Sequence, residues 1–340
     1  MAAHSGIAIW HGWWQKSPVI SASWPCDEIA MLTWPGVWPT VGTSRMSPRL
    51  SDQPLILRTR AWDDYALVDS GDGRKLERYG QALVVRPEPQ CLWSAAQPEL
   101  WDRADAVFDP TDDDEAGNWR FSRPQPEATE LCWGGARFNA RFTNFRHLAF
   151  FPEQAANWEW LDAAVRARPA PRILNLFGYT GVASLVCAAA GAEVTHVDAS
   201  KKAVAYAKEN AALSGIDNVR WIVEDARKFV QREVRRGNRY DGIILDPPKY
   251  GRGPDGQVWR LFEDTPELVS LCAELLSDQA AFLLVNAYAA RISGMALAHL
   301  LADRLTGRGG VIDWGELGLV EDSPRAAEIG LSFFGRWSDL

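Results

Sequence analysis

The stretch DGIILDPPKYGRG places several chemically useful groups at the end of an apolar run. Asp246 ends the run, Pro247 and Pro248 follow it, and Lys249 and Tyr250 lead into glycines. Proline fixes φ, so the two prolines stiffen the backbone after the carboxylate. An acceptor oxygen, a rigid turn and an aromatic ring together suit the binding of a polar, planar group. An ordinary turn after a strand is the alternative interpretation.

The stretch belongs to a series of short apolar runs that alternate with helical segments after residue 155. Runs that are apolar on both faces and joined by helices are typical of a parallel sheet covered on both sides. The segments SKKAVAYAKENAALSG and DARKFVQREVRRG predict helices that stop at glycine. The later runs VIDWGELGLV and LSFFGRW predict an antiparallel edge. The parallel strands are predicted at RILNLF (172–177), EVTHVD (193–198), VRWIVED (219–225), DGIILD (241–246) and AAFLLVNA (280–287). The fold class is therefore α/β, a doubly wound sheet preceded by a small β-rich region.

In such sheets, ligands bind beyond the carboxyl ends of the strands. After the first run, Gly178 and Gly181 bracket a tight turn into a helix, where backbone N–H groups can face a ligand. Asp198 ends the second run, where a carboxylate can accept from both hydroxyls of a ribose. Asp225 follows the third run and is placed to accept from an adenine amino group. Helix N-capping, shared with Ser200, is the alternative for these acids. Acids at successive strand ends beside a glycine turn favour one adenosine-containing ligand.

The segments NLFGYTG, VDAS, VEDA and DPPK resemble, in this order and spacing, motifs I to IV of class I S-adenosylmethionine-dependent methyltransferases. More narrowly they resemble the bacterial large-subunit ribosomal RNA methyltransferase group, over about residues 130–337. The resemblance implies a Rossmann-like fold, S-adenosylmethionine as the cofactor and a base of ribosomal RNA as the substrate. FFPEQAANW (150–158) is similar to a segment of that group that lies over the cofactor, but Ala155 and Trp158 stand at its arginine positions.

The resemblance also implies roles for individual residues. Asp246, Pro247, Pro248 and Lys249 would face the substrate, Asp198 would hold the ribose and Asp225 the adenine. Two further roles follow from residue type and position: Tyr250 could stack on a base, and Asn286, after the fifth strand, could orient the substrate. The residues expected at the cofactor are Phe151, Gln154, Asn175, Phe177, Tyr179, Thr180, Gly181, Asp198, Ala199, Ser200, Asp225 and Ala226.

The cysteine pattern limits the mechanism. Members of that group that methylate carbon 5 of cytosine need a cysteine nucleophile just after the fifth strand. Here that place reads LLVNAYAARISG, with Asn286, Ala287 and Tyr288 where the thiol would stand. Cys187 and Cys272 fall inside apolar helical segments and are expected in the core. The sequence therefore disfavours the covalent mechanism. Direct attack by a base nitrogen or by another lone-pair nucleophile, which needs no thiol, remains open.

Composition limits partners and location. Lysine and arginine number 36 and acids 44, a net charge of 36 − 44 = −8, which argues against a general polyanion binder but not against a local basic groove. No apolar run reaches the roughly 18 to 20 residues that cross a bilayer, and no secretory signal opens the chain, so we expect a cytoplasmic protein without a membrane partner. The five cysteines form no CxxC pair, and no metal site is expected. The oligomeric state is left open.

The first 150 residues divide into two predicted parts. Residues 1–45, with six of the 17 tryptophans, predict a disordered or non-native extension or, alternatively, a Trp-rich binding arm. Residues 46–150 predict the β-rich region, with a hairpin in YALVDSGDGRKLERYGQALVVRP and a second pair formed by NWRFSRP and ARFNARFT. Eight acids crowd residues 99–115, which favours an exposed loop over a metal site. Residues 151–340 would form the methyltransferase domain.

Two clusters of basic residues do not decide whether the protein binds RNA. Arginines alternate with aromatic residues between positions 119 and 146, which fits either an RNA-binding face or a β-ribbon that covers its own core. Basic residues between 227 and 239 favour an exposed helix face. The net charge mildly favours another substrate class, a protein side chain or a small molecule, and a non-catalytic nucleotide-binding module is a third hypothesis. The first cluster contains Arg120, Arg123, Arg137, Arg141 and Arg146, with Trp119, Phe121, Phe138, Phe142 and Phe145.

Overall fold

Strands and helices alternate after residue 155 as the sequence predicts. The structure, a computed structural model, describes residues 47–111, 116–288 and 291–340. The predicted extension, residues 1–45, lies outside them. The strands are β1 (Arg49–Leu50), β2 (Leu55–Thr59), β3 (Tyr65–Gly71), β4 (Arg74–Tyr79), β5 (Ala82–Pro87), β6 (Ala106–Pro110), β7 (Gly117–Phe121), β8 (Ala128–Trp133), β9 (Ala136–Arg141), β10 (Arg172–Leu176), β11 (Glu193–Asp198), β12 (Val219–Val223), β13 (Gly242–Leu245), β14 (Tyr250–Arg252), β15 (Val258–Arg260), β16 (Phe282–Tyr288), β17 (Val311–Val320) and β18 (Glu328–Ser338). The helices are α1 (Pro98–Trp101), a 3₁₀ turn (Pro152–Gln154), α2 (Ala155–Arg166), α3 (Val182–Ala189), α4 (Lys201–Ser214), α5 (Ala226–Arg236), α6 (Leu261–Leu275) and α7 (Gly294–Arg304).

The central sheet is a doubly wound α/β sheet. Its strand order is β1-β17-β18-β16-β13-β10-β11-β12, and β2 also pairs with β17. The strands from β16 to β12 run parallel, while β18 runs antiparallel to both β16 and β17. The chain moves outward from β10 in both directions, so the switch point of the sheet lies between β10 and β13, where ligands of such sheets bind. The predicted fold class is confirmed.

The antiparallel addition reaches further than the sequence indicates. β17 and β18 form at the predicted positions, but β1 and β2 pair in parallel with β17 beyond them. These two short strands come from the segment that the sequence assigns to the N-terminal β-rich region. The domain boundary at residue 150 therefore stays a prediction.

Capping residues set the starts of the two helices that follow β11 and β12. The hydroxyl of Ser200 accepts a hydrogen bond from the backbone N–H of Ala203 at 3.2 Å, which caps α4. The carboxylate of Asp225 accepts from the N–H of Lys228 at 3.0 Å, which caps α5. A side-chain cap of this kind stabilises a helix by about 1 kcal/mol. The capping alternative thus holds for Ser200 and Asp225, whereas Asp198 caps neither helix.

The N-terminal β-rich region contains a sheet in the order β3-β4-β5-β6-β7 and a separate hairpin of β8 and β9. The hairpin predicted around the Gly-Asp-Gly turn is confirmed as β3 and β4. The second predicted pair is wrong, because β7 pairs with β6 and β9 with β8. β6 lies within the acidic segment, where the buried Ala106 and Phe108 alternate with exposed or half-exposed neighbours. The count of acids obscured this short alternating strand.

A shared core connects the β-rich region to the central sheet. Phe138, Phe150 and Trp158 pack together with Leu185 of α3 in one buried cluster. The ring centroids of Phe138 and Phe150 lie 4.9 Å apart, and those of Phe138 and Trp158 lie 5.9 Å apart. The loop between β9 and α2 is therefore held between the two parts of the molecule. Among the described helices, none is long and apolar enough to cross a membrane.

Candidate functional site

A cavity of about 400 Å³ lies at the carboxyl ends of β10, β11, β12 and β13. The loops after these strands form one side of it. The segment before α2 and the hairpin of β14 and β15 form the other side. Its wall includes Phe151, Gln154, Phe177, Tyr179, Thr180, Gly181, Asp198, Ala199, Ser200, Asp225, Ala226, Asp246, Pro247 and Pro248, all of them sequence-predicted site residues. Four predicted residues lie elsewhere, namely Asn175, Lys249, Tyr250 and Asn286.

The loop after β10 adopts a strained backbone. Phe177 and Tyr179 have φ angles of 57° and 48°, in the left-handed region that L-residues rarely occupy, and Gly181 follows at 87°. Each such non-glycine residue costs on the order of 1 to 3 kcal/mol and persists only where its surroundings hold it. Here the hydroxyl of Thr180 donates to the carbonyl of Ala149 at 2.6 Å, and the N–H of Gly178 donates to the carbonyl of Val197 at 3.1 Å. Strain concentrated in a cavity wall indicates a binding loop.

Asp198 is oriented by two backbone donors. One carboxylate oxygen accepts from the N–H of Tyr179 at 2.9 Å, and the other accepts from the N–H of Ser200 at 2.8 Å. Burial raises the pKa of Asp198, while these two hydrogen bonds oppose the rise. Each oxygen keeps a lone pair for a ligand, because a carboxylate offers about four acceptor sites. Asp198 is thus a carboxylate in a fixed orientation that retains acceptor capacity on both oxygens.

The two acids after β12, Glu224 and Asp225, make different contacts. Asp225 caps α5 with one oxygen and lines the cavity. Its neighbour Glu224 also lines the cavity, where it pairs with Arg232 of α5 at 2.5 Å. The capping and ligand-binding interpretations of Asp225 are therefore compatible, since a carboxylate can serve both.

Asp246 and Glu153 both line the cavity. Burial and the nearby charge of Glu153 raise the pKa of Asp246 to about 7. Burial also raises the pKa of Glu153, although Lys75 and Arg86 oppose that rise. Neither carboxylate accepts a side-chain hydrogen bond from the described residues, so both are available to a ligand. The sequence places Glu153 in a segment near the cofactor but gives no sign that it faces Asp246.

Gln154 is held by two buried asparagines. Its Oε1 accepts from Nδ2 of Asn157 at 3.0 Å and from Nδ2 of Asn286 at 3.2 Å, and Asn157 also donates to Oδ1 of Asn286 at 3.1 Å. Asn286 is 2% exposed and lies behind the cavity wall. The geometry gives Asn286 a positioning role toward Gln154, and its predicted contact with the substrate stays a prediction.

Asn175 supports the strained loop from below. The side chain of Asn175 is buried, at 1% exposure, and its Nδ2 donates to Oγ of Ser184 at 2.9 Å. Oγ of Ser184 in turn lies 3.0 Å from Nδ1 of His196. Burial lowers the pKa of His196 to about 3, so the ring is neutral near pH 7. A Cβ on Gly178 would lie 2.4 Å from Cε1 of this ring, which is closer than real contacts allow. Gly178 is therefore required for the close approach of the loop to His196.

The DPPKYGRG stretch continues into a hairpin over the cavity. Trp259 donates from Nε1 to the carbonyl of Pro248 at 2.7 Å, and its ring centroid lies 4.8 Å from that of Phe177. This contact, which the sequence did not indicate, fixes the backbone after Asp246. Lys249 and Tyr250 are exposed beside the opening, with Tyr250 52% exposed.

Aromatic rings surround the opening of the cavity. His147, Phe151, Tyr179 and Tyr288 all line it, and their ring centroids lie 5.1 to 6.1 Å apart in successive pairs. Burial, together with the charges of Arg86 and Arg146, lowers the pKa of His147 to about 4, so this ring is neutral as well. No sequence motif identified His147, because nothing in its local pattern distinguishes it from a surface histidine.

The basic clusters are mostly neutralised. Arg123 pairs with Asp105 at 2.5 Å and Arg137 with Glu130 at 2.6 Å. Phe138, expected on the same face, is fully buried. This geometry favours the interpretation in which the ribbon covers its own core. Further pairs join Arg120 to Asp109, Arg141 to Glu209, Arg227 to Asp264 and Lys228 to Asp255.

The described cysteines lie away from the cavity. Cys91, Cys187 and Cys272 are fully buried, Cys132 lies in β8, and none of the four lines the cavity. Burial raises the pKa of Cys187 to about 12. In the described part of the chain, no three histidine, cysteine or acidic residues are grouped closely enough to hold a metal ion.

Comparison with known proteins gives partial and whole-chain matches. Residues 154–265 match the family described as conserved hypothetical protein 95. Ribosomal RNA large subunit methyltransferase I of Aeromonas hydrophila is 33% identical over 34% of this chain and 30% of its own length. Ribosomal RNA large subunit methyltransferase K/L of Shewanella baltica is 30% identical over 45% of this chain and 21% of its own. The chain thus spans about a third or less of the length of these relatives.

Solved structures match over more of the chain. A protein of Streptococcus mutans described as a SAM-dependent methyltransferase is 17% identical, with a TM-score of 0.62 over 81% of this chain and 75% of that one, which bears on the fold alone. The SAM-dependent methyltransferase of Agrobacterium tumefaciens is 47% identical, with a TM-score of 0.82 over 87% of this chain and 96% of that one. On this match, and on the sheet and cavity described above, the chain belongs to the SAM-dependent methyltransferases.

Proposed function

We propose that the protein transfers the methyl group of S-adenosylmethionine to a base nitrogen in ribosomal RNA, without a cysteine nucleophile and without a metal. The observation that carries the proposal is the cavity, where Asp198 at the end of β11, Asp225 after β12 and Asp246 after β13 line one space. The relatives named as ribosomal RNA methyltransferases support the substrate class. The cytoplasmic location expected from the sequence belongs to the same proposal.

The cavity fits the cofactor in size and charge. Its volume of about 400 Å³ falls in the range of sites for ligands of this size, roughly 300 to 1,000 Å³. Carboxylates outnumber arginines in its wall, which suits a ligand that carries a positive sulfonium. The carboxylates are Glu153, Asp198, Glu224, Asp225 and Asp246, and the arginine is Arg252.

Within this proposal, each part of the wall holds one part of the cofactor. The fixed carboxylate of Asp198 accepts from the two ribose hydroxyls, and Asp225 accepts from the adenine amino group. The strained loop from Phe177 to Gly181, with Phe151 and Gln154 opposite, surrounds the methionine part. Bound there, S-adenosylmethionine supplies an electrophilic methyl group, and the protein aligns the nucleophile with it.

The substrate side is assigned to Asp246 and the residues after it. A target amine donates a hydrogen bond to the Asp246 carboxylate, which lacks other side-chain donors in the described structure. A pKa of about 7 leaves much of this carboxylate ionised at neutral pH and lets it take up the proton that methylation releases. The exposed ring of Tyr250 stacks on a base at the opening. A base nitrogen needs no thiol to attack, which agrees with the positions of the described cysteines.

A second candidate substrate is a protein side chain or small molecule. The pairing of Arg123 and Arg137 with acids, together with the net charge of −8, favours it over a broad RNA-binding face. The two candidates differ in the molecule that receives the methyl group, which is RNA in the first and a protein or a small molecule in the second.

The test is methyl transfer from labelled S-adenosylmethionine to ribosomes from a strain that lacks the gene, followed by separation of RNA from protein. We expect label in the RNA, strongly reduced by Asp246→Asn and unchanged by Asp217→Asn, which alters an exposed acid outside the cavity. Label in the protein fraction alone would replace the RNA proposal by its alternative. Absence of label from both fractions would refute both.

A further inference from the structure

The hairpin of β14 and β15 presents a basic, partly apolar face to solvent beside the cavity. Tyr250 lies opposite Arg260 in the ladder, and Arg252 lies opposite Val258. Directly opposite residues, and residues two apart along a strand, project to the same side of a hairpin. All four side chains are exposed, with Tyr250 52% and Val258 38% accessible. We call Tyr250, Arg252, Val258 and Arg260 the hairpin face.

The opposite side of the hairpin is anchored to the protein. Trp259 is 5% exposed and donates a hydrogen bond to the carbonyl of Pro248. Its partner in the ladder, Gly251, also packs against Pro248: a Cβ added to Gly251 would lie only 3.3 Å from Cγ of Pro248. At the tip, Lys228 of α5 pairs with Asp255 at 2.9 Å. The hairpin face is therefore held in a fixed orientation next to the cavity.

Three cations lie on or beside the hairpin face. Lys249, Arg252 and Arg260 make no ion pair with an acid of the described residues, whereas Arg227 and Arg232 on the neighbouring helix are paired. In a chain with a net charge of −8, a fixed group of uncompensated cations indicates a negatively charged partner. An exposed aromatic ring among them indicates that the partner also has planar groups to stack.

We propose that the hairpin face is a docking surface for single-stranded RNA next to the target base. The proposal rests on the proposed function, because it assigns the path of the same substrate. Arg252 and Arg260 contact phosphates, and Tyr250 stacks on a base adjoining the target. Arg252 also lines the cavity, so a strand on this face passes its opening, and one base turned inward reaches Asp246.

The test is fluorescence anisotropy with a short dye-labelled single-stranded RNA, titrated with the full chain at several salt concentrations. Arg252→Ala and Arg260→Ala should each weaken binding and reduce the slope of log Kd against log salt by roughly 0.7, the value per phosphate contact on a single strand. Tyr250→Ala should weaken binding by roughly 5- to 150-fold, the range of one base stack, while Tyr250→Phe should retain it. Arg235→Ala on α5 is the matched control, since it removes an exposed arginine away from the hairpin.

The outcomes separate this inference from the proposed function. Affinity for S-adenosylmethionine, measured by calorimetry, should be unchanged in Arg260→Ala, which shows that the fold is intact. If the chain methylates RNA but Arg252→Ala and Arg260→Ala behave like Arg235→Ala, the docking surface is wrong and the proposed function stands. Equal affinity for a duplex of the same sequence would also overturn the surface. If the unaltered chain neither binds nor methylates RNA, both proposals fail.

Discussion

Asp198→Asn is the substitution that most sharply tests how the cavity holds its ligand. Both oxygens of Asp198 already accept from backbone donors, the N–H groups of Tyr179 and Ser200. An amide has one oxygen, so its NH₂ group must face one of these N–H groups and repel it. In the proposed binding mode, the ribose of the cofactor also loses a charged acceptor, and a hydrogen bond to a charged group contributes roughly 1.5 to 3 kcal/mol. We therefore expect affinity for S-adenosylmethionine to fall by roughly 10- to 150-fold.

The assay is isothermal calorimetry of S-adenosylmethionine with the full chain, with thermal unfolding of the ligand-free protein as a check of folding. Asp217→Asn is the matched control, because it makes the same chemical change at an exposed position outside the cavity. The reasoning is refuted if a folded Asp198→Asn protein binds S-adenosylmethionine as tightly as the Asp217→Asn control.

Three further predictions follow from buried contacts and can be checked by denaturant unfolding. Gly178→Ala places a Cβ 2.4 Å from the His196 ring, so it should destabilise the protein by roughly 1 to 3 kcal/mol. It should also weaken the binding of S-adenosylmethionine, because the loop that carries residue 178 must shift. An unchanged affinity for S-adenosylmethionine would contradict the loop geometry. Glu77→Gln breaks a buried pair with Arg86 at 2.7 Å and should cost roughly 3 to 5 kcal/mol. Burial opposes ionisation of Glu77 but Arg86 outweighs it and lowers the pKa to about 2, so this loss should be present at neutral pH and shrink as pH falls from 4.5 toward 2. Asp246→Asn should raise the free energy of unfolding at pH 8 and leave it unchanged near pH 4. The reason is that the pKa of Asp246 is raised to about 7 in the folded protein, so the protein loses stability as pH rises from about 4 to 7. Equal effects of the substitution at both pH values would contradict this prediction.

The strand-end acids show how much of the site was predictable. Asp198, Asp225 and Asp246 follow apolar runs, and the topology of a parallel sheet brings the ends of such runs together whatever the details of packing. The same logic located the glycine turn at Gly178 and Gly181. Sequence periodicity therefore identified one side of the cavity.

The other side of the cavity depends on contacts between distant segments. Trp259 donates a hydrogen bond to the carbonyl of Pro248 within a hairpin, and Glu153, from a different part of the chain, lines the same cavity as Asp246. Asn286, expected at the substrate, is bonded to Gln154 and Asn157, two contacts that the sequence did not indicate. Side-chain packing decides these contacts, and no local pattern carries that information.

The N-terminal region was the least predictable part of the fold. Its second strand pair was assigned incorrectly because β6, at Ala106–Pro110, is only five residues long and lies in an acidic segment. Pairing between strands is set by tertiary contacts as much as by alternation. The parallel strands β10 and β13, which are buried on both faces, read clearly because their apolar character is continuous.

The most direct test of the account is identification of the methylated nucleoside formed when the full chain and S-adenosylmethionine act on ribosomal RNA from a strain lacking the gene. Mass spectrometry of the digested RNA should show a single base methylated on nitrogen, as expected of a cavity with Asp246 at the substrate and none of the described cysteines in its wall. A product methylated on carbon 5 of a pyrimidine, which requires a thiol nucleophile, would contradict the account.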